Sequence, residues 1–273
     1  MSAAYWVGSR DGTRAETGNL LAALLLVGGS LNGLAVRVLE SWQLHGLDSP
    51  FFGVSPFEVL AIVVGARAIL ATSADTNNLY PWPEILLGAA LLVPSSALAW
   101  FGVAVYGLTN AWQATGERRT GYLIFAALAG CSIWSSVLLK YWAGPASALD
   151  ARAVWSILSL IRADIEVTGN VVGVPTGHNL IIMTACTSAS LLPKALLGLT
   201  ALAVLAGGVK GNRLALGVAA VATVSIAINV LRLAIMASSA DLYALVHGPI
   251  GANAFDLAQT LSVIGLGFWV TRS

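Results

Sequence analysis

Apolar residues in this chain gather into long runs parted by short polar joints, rather than alternating at the two-residue spacing of a half-buried strand. Crossing a bilayer takes about 20 mostly apolar residues, because the hydrocarbon core is roughly 30 Å thick and a helix rises about 1.5 Å per residue. The run over 20–36 meets that need. The run over 57–71 is shorter and holds Arg67, which must tilt with its helix, snorkel to an interface, or serve as a buried functional charge. Residues 83–108 form a long run with Pro94, Ser95 and Ser96 in its middle, and the missing proline N–H predicts a kink there. A fourth run over 122–139 is closed by the basic and aromatic anchors Lys140, Tyr141 and Trp142. Three more, over 191–206, 214–236 and 252–270, close the chain.

The pattern changes between 144 and 183, where Asp150, Arg152, Arg162, Asp164 and Glu166 break the apolar residues into groups too short to cross. This stretch predicts a short amphipathic surface helix over 151–161. Residues 165–183, β-branched and punctuated by Gly169, Gly173, Pro175 and Gly177, predict short extended strands with turns. The fold expected is therefore all-α and polytopic: seven to eight transmembrane helices, the eighth if the segment near Ala151 enters the membrane, with a short extracytoplasmic strand-like segment before Cys186. Residues 1–273 read as one integral membrane domain without a soluble second domain or a solenoid repeat.

Composition sharpens this picture. Hydrophobic residues make up 57% of the chain and charged ones 10%, against about a quarter charged in ordinary soluble domains. A net charge of +1 offers no basic footprint for nucleic acid. Arg10, Asp11, Arg14 and Glu16 precede the first run with no clean cleavage site after it, so that run reads as a retained span. Orientation follows from Lys210 and Arg213 between two spans and Arg272 after the last, since short basic loops stay cytoplasmic. By alternation, Cys186, Arg232 and His247 then share the outer face. The side of the amino terminus stays open, because Arg10 and Arg14 favour a cytoplasmic start and a seven-span count an outer one.

Three residue types on one face define a chemistry. Cys186 precedes a span with Pro193 in its expected first turn, where the positive end of a helix dipole favours thiolate; a small packed side chain is the alternative. Asn229 and Arg232 are three residues apart and share a helix face; Arg232 could equally snorkel to lipid phosphate. His247 lies in a short outer segment and can exchange protons near neutral pH, or be merely solvated. His45 has no reactive neighbour in sequence, His178 suits a structural hydrogen bond, and Cys131 suits helix packing beside Gly130 and Ser132. With only two cysteines and no CxxC spacing, neither a disulfide framework nor a zinc site is indicated. Together, a thiol, an imidazole and a guanidinium can perform acyl transfer.

In this order the residues resemble the exosortase and archaeosortase family of membrane transpeptidases. Ala185, Cys186, Thr187 and Ser188 look like the family's Ala-Cys-Ser-Gly signature; Asn229 and Arg232 match its Asn, two residues, Arg element; His247, with Gly251 and Phe255, looks like its closing histidine element. The similarity covers about 169–270, and Thr187 and Ser188 stand where the family has Ser and Gly. The resemblance implies Cys186 as nucleophile, His247 as general acid and base, Arg232 as thiolate or oxyanion stabiliser, and Asn229 with Thr187 as orienting or substrate-binding groups. It implies an enzyme of a prokaryotic cytoplasmic membrane with its active site on the extracytoplasmic side. Its partners are exported proteins whose carboxy-terminal sorting signal is a short motif, a transmembrane helix and a basic tail. It requires no metal or organic cofactor. Two rivals remain: an anion or small-molecule transporter lined by Arg67, Lys194 and Arg232, and a non-catalytic membrane assembly subunit.

Overall fold

The computed structural model of the chain describes residues 4–45, 53–72, 82–93, 95–175, 177–209 and 211–272. Pro94 and Lys210, and the side chains of Arg10, Asp11, Arg14, Glu16 and His45, lie outside the described residues. Among the described residues, five helices are long and apolar enough to cross a membrane: Thr17–Leu39, Gly116–Tyr141, Ser188–Leu205, Gly211–Ser238 and Pro249–Thr271. The chain is thus a predominantly helical, multi-pass membrane protein. It divides into two compact units, 1–47 with 51–133, and 48–50 with 134–273.

The first unit contains α1 (Ala4–His45), α2 (Pro56–Leu70), α3 (Trp82–Leu92), α4 (Ser96–Gln113) and α5 (Gly116–Ile133). Glycines let its backbones touch, as small residues do where lipid supplies no hydrophobic drive. A Cβ on Gly121 would lie 2.8 Å from the Gly65 carbonyl oxygen, and one on Gly107 would lie 2.9 Å from that of Tyr122. Trp100, Tyr106, Tyr122 and Phe125 fill the spaces between the helices. Arg67 is exposed in the last turn of α2, where a cation meets the negative end of the helix dipole.

The expected kink over 83–108 is instead a reversal. Leu87 and Ala90 of α3 pack against Gly102 of α4, where a Cβ would meet them at 3.1 and 3.2 Å. A proline at 94 cannot donate to the preceding turn and biases residue 93 out of helical geometry. The turn is closed locally, Ser95 N donating to Val93 O at 2.8 Å and Val93 N to Ala90 O at 3.4 Å. Asn32 of α1 adds a second donor to the same two oxygens, its Nδ2 lying 3.3 Å from Ala90 O and 3.2 Å from Val93 O, while Ser96 Oγ donates to Gly33 O.

The second unit opens on a π-helical turn, Trp134–Leu138, then α6 (Leu139–Tyr141) and α7 (Ala143–Leu158). The surface helix expected over 151–161 therefore begins eight residues earlier, with Asp150 buried inside it. Strands β1 (Glu166–Thr168), β2 (Val171–Gly173) and β3 (Asn179–Ile181) form an antiparallel meander in the order β1-β2-β3. Gly169, with φ +60°, makes the two-residue turn between β1 and β2. Val172 and Leu180 stand opposite one another and, with Ile182, bury one sheet face against Ala151, Val154 and Leu158 of α7.

A 3-10 turn, Thr184–Cys186, leads into α8 (Ser188–Leu205), followed by α9 (Gly211–Ser238), α10 (Ala240–His247) and α11 (Pro249–Thr271). Because α8 starts at Ser188, Pro193 sits in its second turn rather than its first. The carbonyl it leaves without a helical donor belongs to Ala189, and Trp134 Nε1 donates to that oxygen at 2.9 Å. Helices α9 and α11 run antiparallel: Gly217 abuts Val270, and Gln259 Nε2 donates to Ser225 Oγ at 2.5 Å. Arg213 Nη1 donates to the Arg272 carbonyl, so these two basic residues share one end of the pair.

Candidate active site

The start of α8 is held by two neighbouring helices. Its N-cap residue, Thr187, is fully buried, but its hydroxyl donates to Thr184 O at 2.8 Å instead of capping the helix. That bond closes the tight turn that carries Cys186. The capping role passes to α7, where Asp150 Oδ2 accepts the Ser188 N–H at 2.6 Å. A carboxylate there meets the positive helix end and satisfies an orphan donor. Burial pushes the Asp150 carboxyl above its usual range, and the bond from Ser188 opposes that rise.

From the other side, Asn229 of α9 donates Nδ2 to Cys186 O at 3.0 Å and to Ser188 Oγ at 3.1 Å. It is 2% exposed, so these bonds also answer its own need for partners. Arg232, one turn on, brings its positive charge to bear on the half-buried Cys186 thiol. Burial pushes that thiol up, and Arg232 pulls it partly back. Proximity to a helix amino end does not by itself make Cys186 a thiolate, because Asp150 already occupies that end and desolvation favours the neutral thiol.

His247 stands differently from its expected place in a joining loop. Residues 240–247 are helical, Ser239 Oγ accepting the Leu242 N–H at 3.1 Å as N-cap, and His247 is the exposed last residue of that helix. Its ring stacks on Tyr243 at 4.9 Å, with 15° between planes. Tyr243 in turn lies 5.7 Å from the ring of His178, whose Nε2 is 3.0 Å from the Met236 carbonyl and therefore donates to it. Gly251 lets α11 start against α10, since a Cβ there would come within 2.5 Å of Val246 Cα. Val246, Tyr243, Phe255 and Cys186 all belong to one apolar cluster. The structure thus joins Cys186, Thr187 and Asn229 by hydrogen bonds at one turn and brings Arg232 within electrostatic reach of the thiol, while His247 touches the cluster through Tyr243; among the described residues it makes no hydrogen bond to Cys186.

Several residues of this site went unnoticed in the sequence. Asp150 resembled an ordinary surface charge. Asp256, exposed on α11, lies within electrostatic reach of both Arg232 and Lys194, and its position two turns into an apolar run was a signal available from the sequence. Trp134 supports the second turn of α8 through its bond to Ala189 O. Among the described residues, no three His, Cys, Asp or Glu side chains gather as a metal site requires. No family model, no curated protein and no solved structure matches this chain.

Proposed function

We propose that the second unit is a membrane-embedded cysteine transpeptidase of the exosortase and archaeosortase kind, which cleaves carboxy-terminal sorting signals of exported proteins through a thioacyl intermediate. The observation that carries this reading is the bond from Asn229 Nδ2 to Cys186 O, 3.0 Å long. It ties the helix bearing Arg232 to the backbone of the cysteine, and the Arg232 charge bears on the thiol. In the mechanism, His247 takes the thiol proton and Cys186 Sγ attacks the scissile carbonyl. Arg232 stabilises the oxyanion, and His247 returns the proton to the leaving amine. The acyl group then passes to an acceptor nucleophile, which breaks the thioester. The exposure of His247 supports this role, since an exposed imidazole is open to proton exchange with a bound substrate.

In the same reading the enzyme lies in a prokaryotic cytoplasmic membrane and works on its outer side. Arg213 and Arg272 share one end of the α9 and α11 pair. Arg232 lies about 28 Å along α9 from Arg213, close to the thickness of the hydrocarbon core. With the basic end cytoplasmic, Cys186 faces outward. In this reading α2 and α4, which are not among the five long apolar helices, cross as well, for seven spans.

The test is processing of a co-expressed protein bearing a sorting tail, compared between wild type and Cys186→Ala at equal membrane abundance. Wild type cleaves the tail and Cys186→Ala does not. Equal processing by both would end the thiol mechanism.

A further inference from the structure

A cleft of about 370 Å³ opens beside the cysteine turn within the second unit. Gly144 and Ser147 of α7 form one wall, Gly169 and Asn170 of the β1–β2 turn another, and Met183 and Thr184 the third. Among the described residues, no ionisable side chain lines it. Its volume lies at the small end of ligand pockets, enough for a side chain or two rather than a whole polypeptide segment. The third wall is continuous with the nucleophile: Cys186 N donates to Met183 O at 2.9 Å, and Thr187 N donates to Thr184 O at 3.2 Å. Whatever fills the cleft is therefore held at a fixed offset from Sγ.

The sheet edge beside it is built for extended backbone. Ile182 N donates to Asn170 O and Val174 N donates to His178 O, so by antiparallel alternation Leu180 also faces β2 with both backbone groups. Asn179 and Ile181 must then turn their N–H and C=O groups to the open edge, where they have no backbone partner among the described residues. An incoming strand can use them, as many peptide-binding edges do. The chain leaving that edge passes through Met183 into the 3-10 turn that carries Cys186.

We infer that this cleft receives an uncharged side chain of an extended peptide, paired along β3, whose scissile carbonyl is presented to Cys186. The inference rests on the thiol-transferase reading and adds to it the kind of substrate segment the site accepts. A charged side chain would surrender its hydration inside a cleft that offers no counter-ion, which disfavours it strongly. The glycine at 144 is open to a direct test, because a Cβ there meets nothing within 4 Å and a larger side chain projects into free space.

The experiment measures alkylation of Cys186 in the full-length protein in detergent, followed by mass spectrometry of the peptide that contains it. Two reagents are compared: iodoacetamide, which reports the thiol alone, and N-acetyl tripeptide chloromethyl ketones with Ala, Glu or Lys beside the reactive group. In each case the thiolate forms a carbon–sulfur bond and halide leaves. The Ala reagent labels wild type at least tenfold faster than the Glu and Lys reagents. Gly144→Leu, or Ala148→Leu, which alters the same wall one turn further along α7, lowers labelling by the Ala reagent at least tenfold relative to iodoacetamide. Equal rates for the three peptides, or a peptide-to-iodoacetamide ratio that neither substitution changes, would overturn the inference. The catalytic reading fails on a separate result, unchanged tail processing by Cys186→Ala, so the two failures are told apart.

Discussion

Two arginines among the helices of this protein, one in each unit, live under opposite terms. Arg37 of α1 is answered in full: Nη1 donates to Glu58 Oε1 at 2.6 Å and Nη2 to Ser132 Oγ at 3.3 Å. Glu58 is wholly buried, and its second oxygen accepts the Ser55 N–H at 2.8 Å as half of the capping box that starts α2. One carboxylate thus neutralises a cation, begins a helix and ties α1 to α2. Arg232 of α9 has no salt-bridge partner among the described residues, and its buried Nε lacks a hydrogen-bond partner there. Its charge acts instead on Cys186 and Asp256 from a distance. The first arginine is a structural tie; in the proposed mechanism the second is the group that meets the substrate's developing charge.

That contrast is sharpest at Glu58. Replacing it by Ala leaves the Arg37 guanidinium without its counter-charge, and breaking such a pair costs about 3–5 kcal/mol. Thermal unfolding in detergent measures this, and Arg37→Met combined with Glu58→Leu recovers most of the loss. A loss under about 1 kcal/mol would remove the difference between the two arginines. At Arg232 the reverse holds. Arg232→Gln lowers tail processing about 100-fold, equivalent to about 2.7 kcal/mol in the barrier, with an unfolding midpoint close to wild type. The same variant withdraws the cation that offsets burial at Cys186, so the thiol moves further up and the rise of iodoacetamide labelling with pH shifts to higher pH. A large loss of stability instead would make Arg232 a structural residue like Arg37. The smallest effect belongs to Asp150→Ala, which removes the cap of α8 and costs about 1–2 kcal/mol. Asp150→Asn costs less, because its amide oxygen still accepts the Ser188 N–H; equal losses from both would show that charge, not capping, is what Asp150 contributes.

Legibility in the sequence followed the range of the forces involved. Helix positions over 57–71 and 214–236 were readable to within a few residues, because an apolar run and its ends are local properties. The reversal between α3 and α4 was half-readable: Pro94 in the sequence marks a break, but the packing of Leu87 and Ala90 on Gly102, and the bonds from Asn32 about sixty residues earlier, were not visible there. At the site, Cys186, Asn229 and Arg232 stood out as polar or reactive groups in apolar surroundings. Their joining through the Cys186 carbonyl did not, nor did the helix under His247, whose eight residues are too few to show a period.

The sequence by itself determined that this is a helical membrane protein, since the length and apolarity of a run fix whether a helix can cross lipid, and each run carries that information within itself. Only the tertiary structure decided which polar groups meet inside it. Asp150 caps a helix that begins 38 residues later, Trp134 serves the carbonyl opposite Pro193, and Glu58 rather than Asp256 closes a salt bridge. Each of these bonds depends on the packing of helices remote in sequence, because a buried donor takes whichever acceptor the fold brings within 3 Å, and no local pattern encodes that distance.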